Sequence, residues 1–369
     1  MHISSYSPIY EITRGKTVES VHFGAIAVVN ARGSLVASYG DPTEVTYLRS
    51  SAKPFQALPL IEQGGQETYH LAPEEVALIC ASHSGTDGHV ATLRTLQDKV
   101  GVSEEDLMCG VHTPFHQPTV QAMLQRGEDI TPNRHNCSGK HTGMLAYARM
   151  KGLSIPKTDG GVPYIDPGHP VQSDILAAFT EMCALSCEQV ALGTDGCSVP
   201  TFAVPLYNAA LAYARLCDPE AGRVETPARA MACRAISSAM VDHPEMVGGP
   251  ESFDTRLMQS AQGRVLSKGG AEGYLTLGLL PGALEPGSPA LGIAIKVSDG
   301  DLAGHSRPQG DPHAHARPAV ALEVLRQLGA LDESALESLA EFGPSFTIHN
   351  WRKVVVGEGR PCFELRRET

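Results

Sequence analysis

A serine three residues ahead of a lysine at the start of a helix is a pairing that can act as a nucleophile with its base. The stretch "RSSAKPFQAL", Arg49 to Leu58, holds such a pair in Ser50 and Lys53. One helical turn brings both side chains to one face. The hydroxyl would be the nucleophile and a neutral amine its base. The same spacing recurs at Ser154-x-x-Lys157 in "KGLSIPKTDGG", where Pro156 and two glycines read as a plain loop. Spacing alone therefore leaves a second reading open, an ordinary polar helix start.

Three further stretches gather small, polar and reactive residues in turn-like settings. "CASHSGTDG" (80–88) follows a short apolar run and carries Ser82, His83 and Ser84 where that run ends. The competing reading there is a helix-to-loop junction with satisfied hydroxyls. "NCSGKHTGML" (136–145) contains Gly-Lys, as a phosphate loop does, but Arg134 stands where that motif needs its first glycine. His141 replaces the hydroxyl that would hold magnesium. What remains is a cysteine, a serine, Lys140 and a histidine at a helix N-terminus, where the dipole favours anions and penalises cations. "LGTDGCSVP" (192–200) supplies Asp195 and Cys197 in a tight turn; either Cys137 or Cys197 alone would read as a core thiol.

The elements that must position these residues change character along the chain. Residues 9–38 alternate apolar and polar, with a turn near Asn30–Gly33, and read as a β-hairpin or meander. After Arg49 the period becomes helical: "AKPFQALPLIEQGG" has Pro54 in its first turn, Pro59 as a kink and Gly64 past its end. "HVATLRTLQDKVG", "PTVQAMLQRG" and "GKHTGMLAYARMKG" are amphipathic helices, each closed by glycine. More helices are expected near 170–185, 203–217 and 226–241. Strands return in "GRVLSK", "GYLTLGLL", "ALGIAIKVSDG" and "WRKVVVG", interrupted by a helical hairpin near 316–342. This order predicts an α+β fold and one catalytic domain over 1–369. The N-terminal (about 1–48) and C-terminal (about 255–369) segments would share an antiparallel sheet, with a central helical lobe over about 49–254. The long loop "SDGDLAGHSRPQGDPHAHARP" reads as an active-site lid or a surface segment.

Composition narrows the partners. Twenty-nine basic against 41 acidic residues give a net charge of −12. That argues against nucleic acid or an anionic membrane, which need clustered Lys and Arg. The first 16 residues lack a basic n-region and an apolar h-region, and no apolar run is long enough for a membrane span. The nine cysteines, odd in number and irregularly spaced, read as thiols or metal ligands, and the expected location is the cytoplasm.

Together "YEITRGKTVES", "RSSAKPFQALPL", "CASHSG", "NCSGKHTGML", "DGCSVPTFAVPL" and "GAEG" resemble, in order, the type II asparaginase family related to the inducible rhizobial enzyme. The resemblance runs from about residue 9 to 300. It implies an amidohydrolase that converts L-asparagine to L-aspartate and ammonia, with a fold similar to serine β-lactamases and glutaminases, and a homodimer. It puts the nucleophile on Ser50 and the base on Lys53, with a second Ser–Lys pair on Ser82 and Lys140. It also puts a Zn2+ site on Cys137, Lys140 and Cys197, with water completing the shell. Two departures stand out: Thr86 and Asp87 follow "SHSG" where the family commonly has Glu, and "MVGGPESFDTRLM" is only loosely family-like.

The chemistry sets its own demand. A free lysine has a pKa of about 10.4, so a base neutral at pH 7 needs a downward shift of roughly three units, from burial or neighbouring cations. The substrate's α-carboxylate and α-amine need opposite charges. Arg49 and Lys268 are candidates for the carboxylate and Asp195 and Glu272 for the amine, with His141 a further substrate-binding candidate. A serine β-lactamase or penicillin-binding enzyme is a rival reading, weakened by the absence of an S-D-N element. A zinc-stabilised amino-acid sensor without catalysis is another.

Overall fold

The computed structural model describes residues 6–153, 155, 162–301 and 316–368. Ser154 and Lys157 of the second S-x-x-K, and the body of the long loop, 302–315, fall outside the described residues.

The long strand β2 (Thr17–Asn30) organises the architecture. Its stretch "GAIAVVN" is apolar on both faces, as befits a strand covered on both sides. Ala25, Ala27 and Val29 point into one core, shared with most of the helices. Ile26 and Val28 point into a second core, built with the helix Ala316–Leu328. Antiparallel neighbours flank β2: β1 (Ser7–Arg14) on one side and β9 (Leu291–Val297) on the other, the latter in register from Gly24↔Val297 to Asn30↔Leu291.

The other strands are β3 (Leu35–Tyr39), β4 (Val45–Tyr47), β5 (Ala191–Thr194), β6 (Pro200–Pro205), β7 (Val265–Gly269), β8 (Tyr274–Leu279), β10 (Phe346–His349), β11 (Val355–Pro361) and β12 (Arg366–Arg367). The main sheet runs β10-β11-β1-β2-β9-β8-β7, with β3 joined to β2 and β12, so the N- and C-terminal segments do share one antiparallel sheet. The fold is the expected mixed α+β arrangement. A helix, Leu206–Cys217, lies close against the sheet because β9 and β8 carry small residues beneath it. A Cβ on Gly292 would fall 1.7 Å from Ala210 O.

A second sheet, β4-β6-β5, differs from expectation. Residues 203–205 were expected to begin a helix, but "PTFAVP" pairs on both edges, with β4 and β5, and the helix starts at Leu206. The last long strand also begins late. The side chain of Asn350 accepts from the backbone of Arg352 and Val354, making the first part of "WRKVVVG" a turn. No helix among the described residues is long and apolar enough to cross a membrane. The reactive turns meet where β7, the edge of the main sheet, faces the helical lobe and the β5–β6 turn.

Candidate active site

Residues Arg49–Ala52 form a single 3-10 turn that runs directly into the helix Lys53–Glu62, where Pro54 suits the first turn. Three ties hold it. Leu48 N donates to Phe202 O (3.0 Å), Ser51 Oγ donates to Lys268 O (2.7 Å), and Tyr213 OH donates to Ser51 O (2.8 Å). Arg49 is held at φ 52°, with Ser198 (75°) and Glu272 (57°) also in the left-handed region nearby in the fold. Such a residue costs about 1–3 kcal/mol, so the surrounding contacts must enforce it. Ser50 is half-buried and lines a small cavity together with Lys53, Gln56, Lys140 and Asp195.

Lys53 is buried, and its Nζ donates to Ala81 O (2.5 Å), Ser82 Oγ (2.9 Å) and Asn136 O (3.3 Å). The helix spacing brings it to the Ser50 face, but its amine bonds to the "CASHSG" and "NCSGKH" stretches instead of to the Ser50 hydroxyl. Ser82 also accepts from Lys268 Nζ at 2.8 Å, and that amine donates to Gly269 O as well (2.8 Å). Burial pulls the Lys268 pKa down to about 7, the nearby Lys53 adding to the effect and Asp254 opposing it. Lys268 is thus the lysine of this site brought into the range where a general base works.

The remaining polar groups form a second cluster. Lys140 Nζ donates to Cys197 Sγ (2.8 Å), whose thiol lies 3.3 Å from Asp195 Oδ2. Arg49 Nε holds the other oxygen of Asp195 at 2.5 Å. Burial alone would lower the Lys140 pKa, but Cys197 and Cys137 hold it above its ordinary value. Cys137 lies well below the ordinary thiol range because Cys197 hydrogen-bonds it, with Lys53 and Lys140 close by; Cys197 is raised in turn and keeps its proton. The glycine of "SGK" has a packing role: a Cβ on Gly139 would meet Leu78 O at 2.2 Å, so glycine lets the helix Ser138–Met150 lie against Pro73–Ile79.

The L-asparaginase II family model matches residues 10–361. The chain belongs to the L-asparaginase II family. It is an amidohydrolase. No curated protein matches it. Among solved structures, it is similar to a probable glutaminase from Bacillus subtilis complexed with 6-diazo-5-oxo-L-norleucine. The identity is 12% and the TM-score 0.37, over 84% of this chain and 85% of that one. It is also similar to the Bacillus subtilis glutaminase YbgJ in covalent complex with 5-oxo-L-norleucine (13%, TM-score 0.32, 74% and 79%). A third is a Bacillus glutaminase in 4.3 M NaCl (11%, TM-score 0.33, 76% and 84%).

Within this L-asparaginase II family member, several expected roles move. Ser82 is bonded by Lys268 and Lys53, not Lys140, because the long Lys268 side chain reaches it from β7 while Lys140 turns toward the thiols. Lys268 is fully buried and spends its donors on protein acceptors, so it is not placed to hold a substrate carboxylate. His141 is also fully buried, bonded through Nδ1 to Tyr164 OH (2.7 Å) and kept neutral by burial. Glu272 stays exposed, 4.0 Å from Arg49. Arg49 and Asp195 are brought to the cavity. Of the two departures, Thr86 and His89 cap the helix Asp87–Val100 together. Asp254, from the loosely matching segment, binds Ser267 Oγ (2.6 Å) and Gly269 N (2.8 Å) and so braces Lys268 from both sides. Sequence reading missed Asp254 and Gln56. The i, i+3, i+6 spacing of Ser50, Lys53 and Gln56 was a signal for the latter.

The donor set fits a zinc ion. Ligand atoms of Cys137, Cys197 and Asp195 lie within 4.8 Å of one another, and Lys140 Nζ touches Cys197. Two thiolates and a carboxylate are ordinary zinc ligands and the low Cys137 pKa readies one thiolate, whereas a lysine amine is an unusual ligand that must first give up its proton.

Proposed function

We propose that the protein hydrolyses L-asparagine to L-aspartate and ammonia through an acyl-enzyme on Ser50. The observation that supports this best is the hydrogen-bonded line Lys53–Ser82–Lys268 behind a half-buried serine, with one lysine poised near neutrality. Ser50 Oγ attacks the side-chain carbonyl, forming a carbon–oxygen bond, while its proton passes to Lys53. The same proton, returned to the leaving nitrogen, lets ammonia depart. Water then attacks the ester, Lys53 takes the water's proton, and aspartate leaves as Ser50 regains its hydrogen. Lys268, through Ser82, gives the Lys53 proton a second resting place and keeps the pair from carrying two full charges. The Arg49–Asp195 ion pair matches the substrate's zwitterion: each partner can exchange the other for the α-carboxylate or the α-ammonium.

Zinc belongs to the same proposal, held by Cys137, Lys140 and Cys197 with Asp195 beside them. When bound, it would supply fixed positive charge beside the cavity and tie the β5–β6 turn to the helix Ser138–Met150. A homodimer and a cytoplasmic location are also proposed, the first to be checked by light scattering. Ammonia release measured across asparagine, glutamine and related amides is the decisive test. Asparagine is expected to be the fastest substrate. Binding of asparagine without ammonia would instead favour the sensor reading, and turnover of a chromogenic cephalosporin the β-lactamase one.

A further inference from the structure

One buried polar atom on the cavity wall has nothing to bind. Thr201 Oγ1 is buried without a hydrogen-bond partner, and of the described residues with such an atom Thr201 is the one that lines the Ser50 cavity. An unpaired buried hydroxyl destabilises a fold, which makes it a candidate for a partner that arrives from solution.

Sheet register shows what it stands beside. Thr201 pairs with Gly193 across β5 and β6, and Asp195 N continues the ladder by donating to Val199 O (2.9 Å). Residues directly opposite, and those two apart, share a face, which puts Thr201, Val199 and Asp195 together, and all three line the cavity, with Pro200 between them contributing as well. Charge shows what is missing. The cavity is lined by the cations Arg49 and Lys140, by Lys53, and by Asp195 as its anion. Both oxygens of that carboxylate already have partners, Arg49 on one and Cys197 on the other. An ammonium has three N–H donors. Its binding here calls for a neutral acceptor beside Asp195, on the same face.

We propose that Thr201 Oγ1 accepts a hydrogen bond from the α-ammonium of the bound amino acid, alongside Asp195, and so makes the site selective for α-amino acids. The inference rests on the reading of this cavity as the substrate site, and binding of product, which needs no turnover, separates the two. L-aspartate and succinate, which lacks the α-amine, are titrated calorimetrically into the wild type, Thr201→Val and Thr201→Ser, with thermal unfolding of each. Loss of one hydrogen bond to a charged group predicts that Thr201→Val binds aspartate roughly ten- to a hundred-fold more weakly, with Thr201→Ser within a few-fold of wild type. Succinate affinity should be unchanged, and Thr201→Val, relieved of an orphan hydroxyl, should melt no lower than wild type. Wild-type aspartate affinity in Thr201→Val, an equal loss for succinate, or no aspartate binding by the wild type would overturn the proposal. Aspartate binding that follows the prediction in a protein that releases no ammonia would instead defeat the hydrolase reading alone.

Discussion

Lys268 and Lys140 are both buried lysines on the rim of one site, yet their surroundings push them in opposite directions. Around Lys268 stand a hydroxyl, a carbonyl and a second lysine, and the one carboxylate nearby, Asp254, opposes burial without overcoming it, so the pKa falls to about 7. Around Lys140 stand two cysteines and a carboxylate, and their negative charge and hydrogen bonding outweigh burial and hold it up. Depth alone does not make a base; the sign of the neighbouring charge does. One cluster is arranged to move protons, the other to hold positive charge, whether on an amine or on a metal.

The comparison breaks most visibly at the nucleophile. Ser50→Ala and Lys53→Ala should each lower asparagine turnover by at least about 10³-fold, and the double variant should lose little more, because residues acting as one unit do not add. Lys53→Arg should be nearly as poor, since a guanidinium cannot give up its proton. Near-normal turnover in Ser50→Ala together with its loss in Ser82→Ala would move the nucleophile to the second serine.

Next comes the contrast between the lysines. Lys268→Arg should reduce kcat by about 10²-fold or more, the usual scale of general-base catalysis. The pH profile tests the cause. A protonated amine cannot accept a proton, and the neutral fraction of Lys268 grows as pH rises through about 7. Wild-type activity should therefore climb across that range, and the climb should vanish in Lys268→Arg. In Lys140→Arg the limb should persist even where the rate is lower; its disappearance there would erase the distinction between the clusters.

Metal content gives a smaller but independent reading. Cys137→Ser should cut zinc per chain, measured by elemental analysis of protein purified without chelator, and lower the melting temperature by several degrees. Retained zinc with full activity would reduce Cys137 to packing. The smallest effect is expected at Asp254. Asp254→Asn keeps the shape but weakens the brace on Ser267 and Gly269, and it removes a negative charge near Lys268. Loss of a charged hydrogen bond of this kind costs about 1.5–3 kcal/mol, and the pH limb should move downward. An upward movement would contradict the assigned sign.

Much of this was legible in order along the chain. The alternating segments at 9–38 and the apolar runs after 263 are strands because period-2 patterning specifies a pleated face, and they do pair as β1, β2, β7, β8 and β9. The glycine-closed helices fall where expected because a C′ glycine is a local signal. Ser50 and Lys53, Cys137 and Cys197, and Arg49 and Asp195 were all recognisable as reactive types in turns. Which lysine serves which partner was not. Ser82 and Lys268 are 186 residues apart, and Lys140 and Cys197 are 57 apart. No periodicity spans such distances, so only tertiary packing could join them, of β7 against the helical lobe for the first pair and of the β5–β6 turn against the helix Ser138–Met150 for the second. The pKa of a lysine is decided last of all. Desolvation and neighbouring charge are properties of a place in the fold, and one residue type acquired two opposite characters here because the tertiary structure put different neighbours around it.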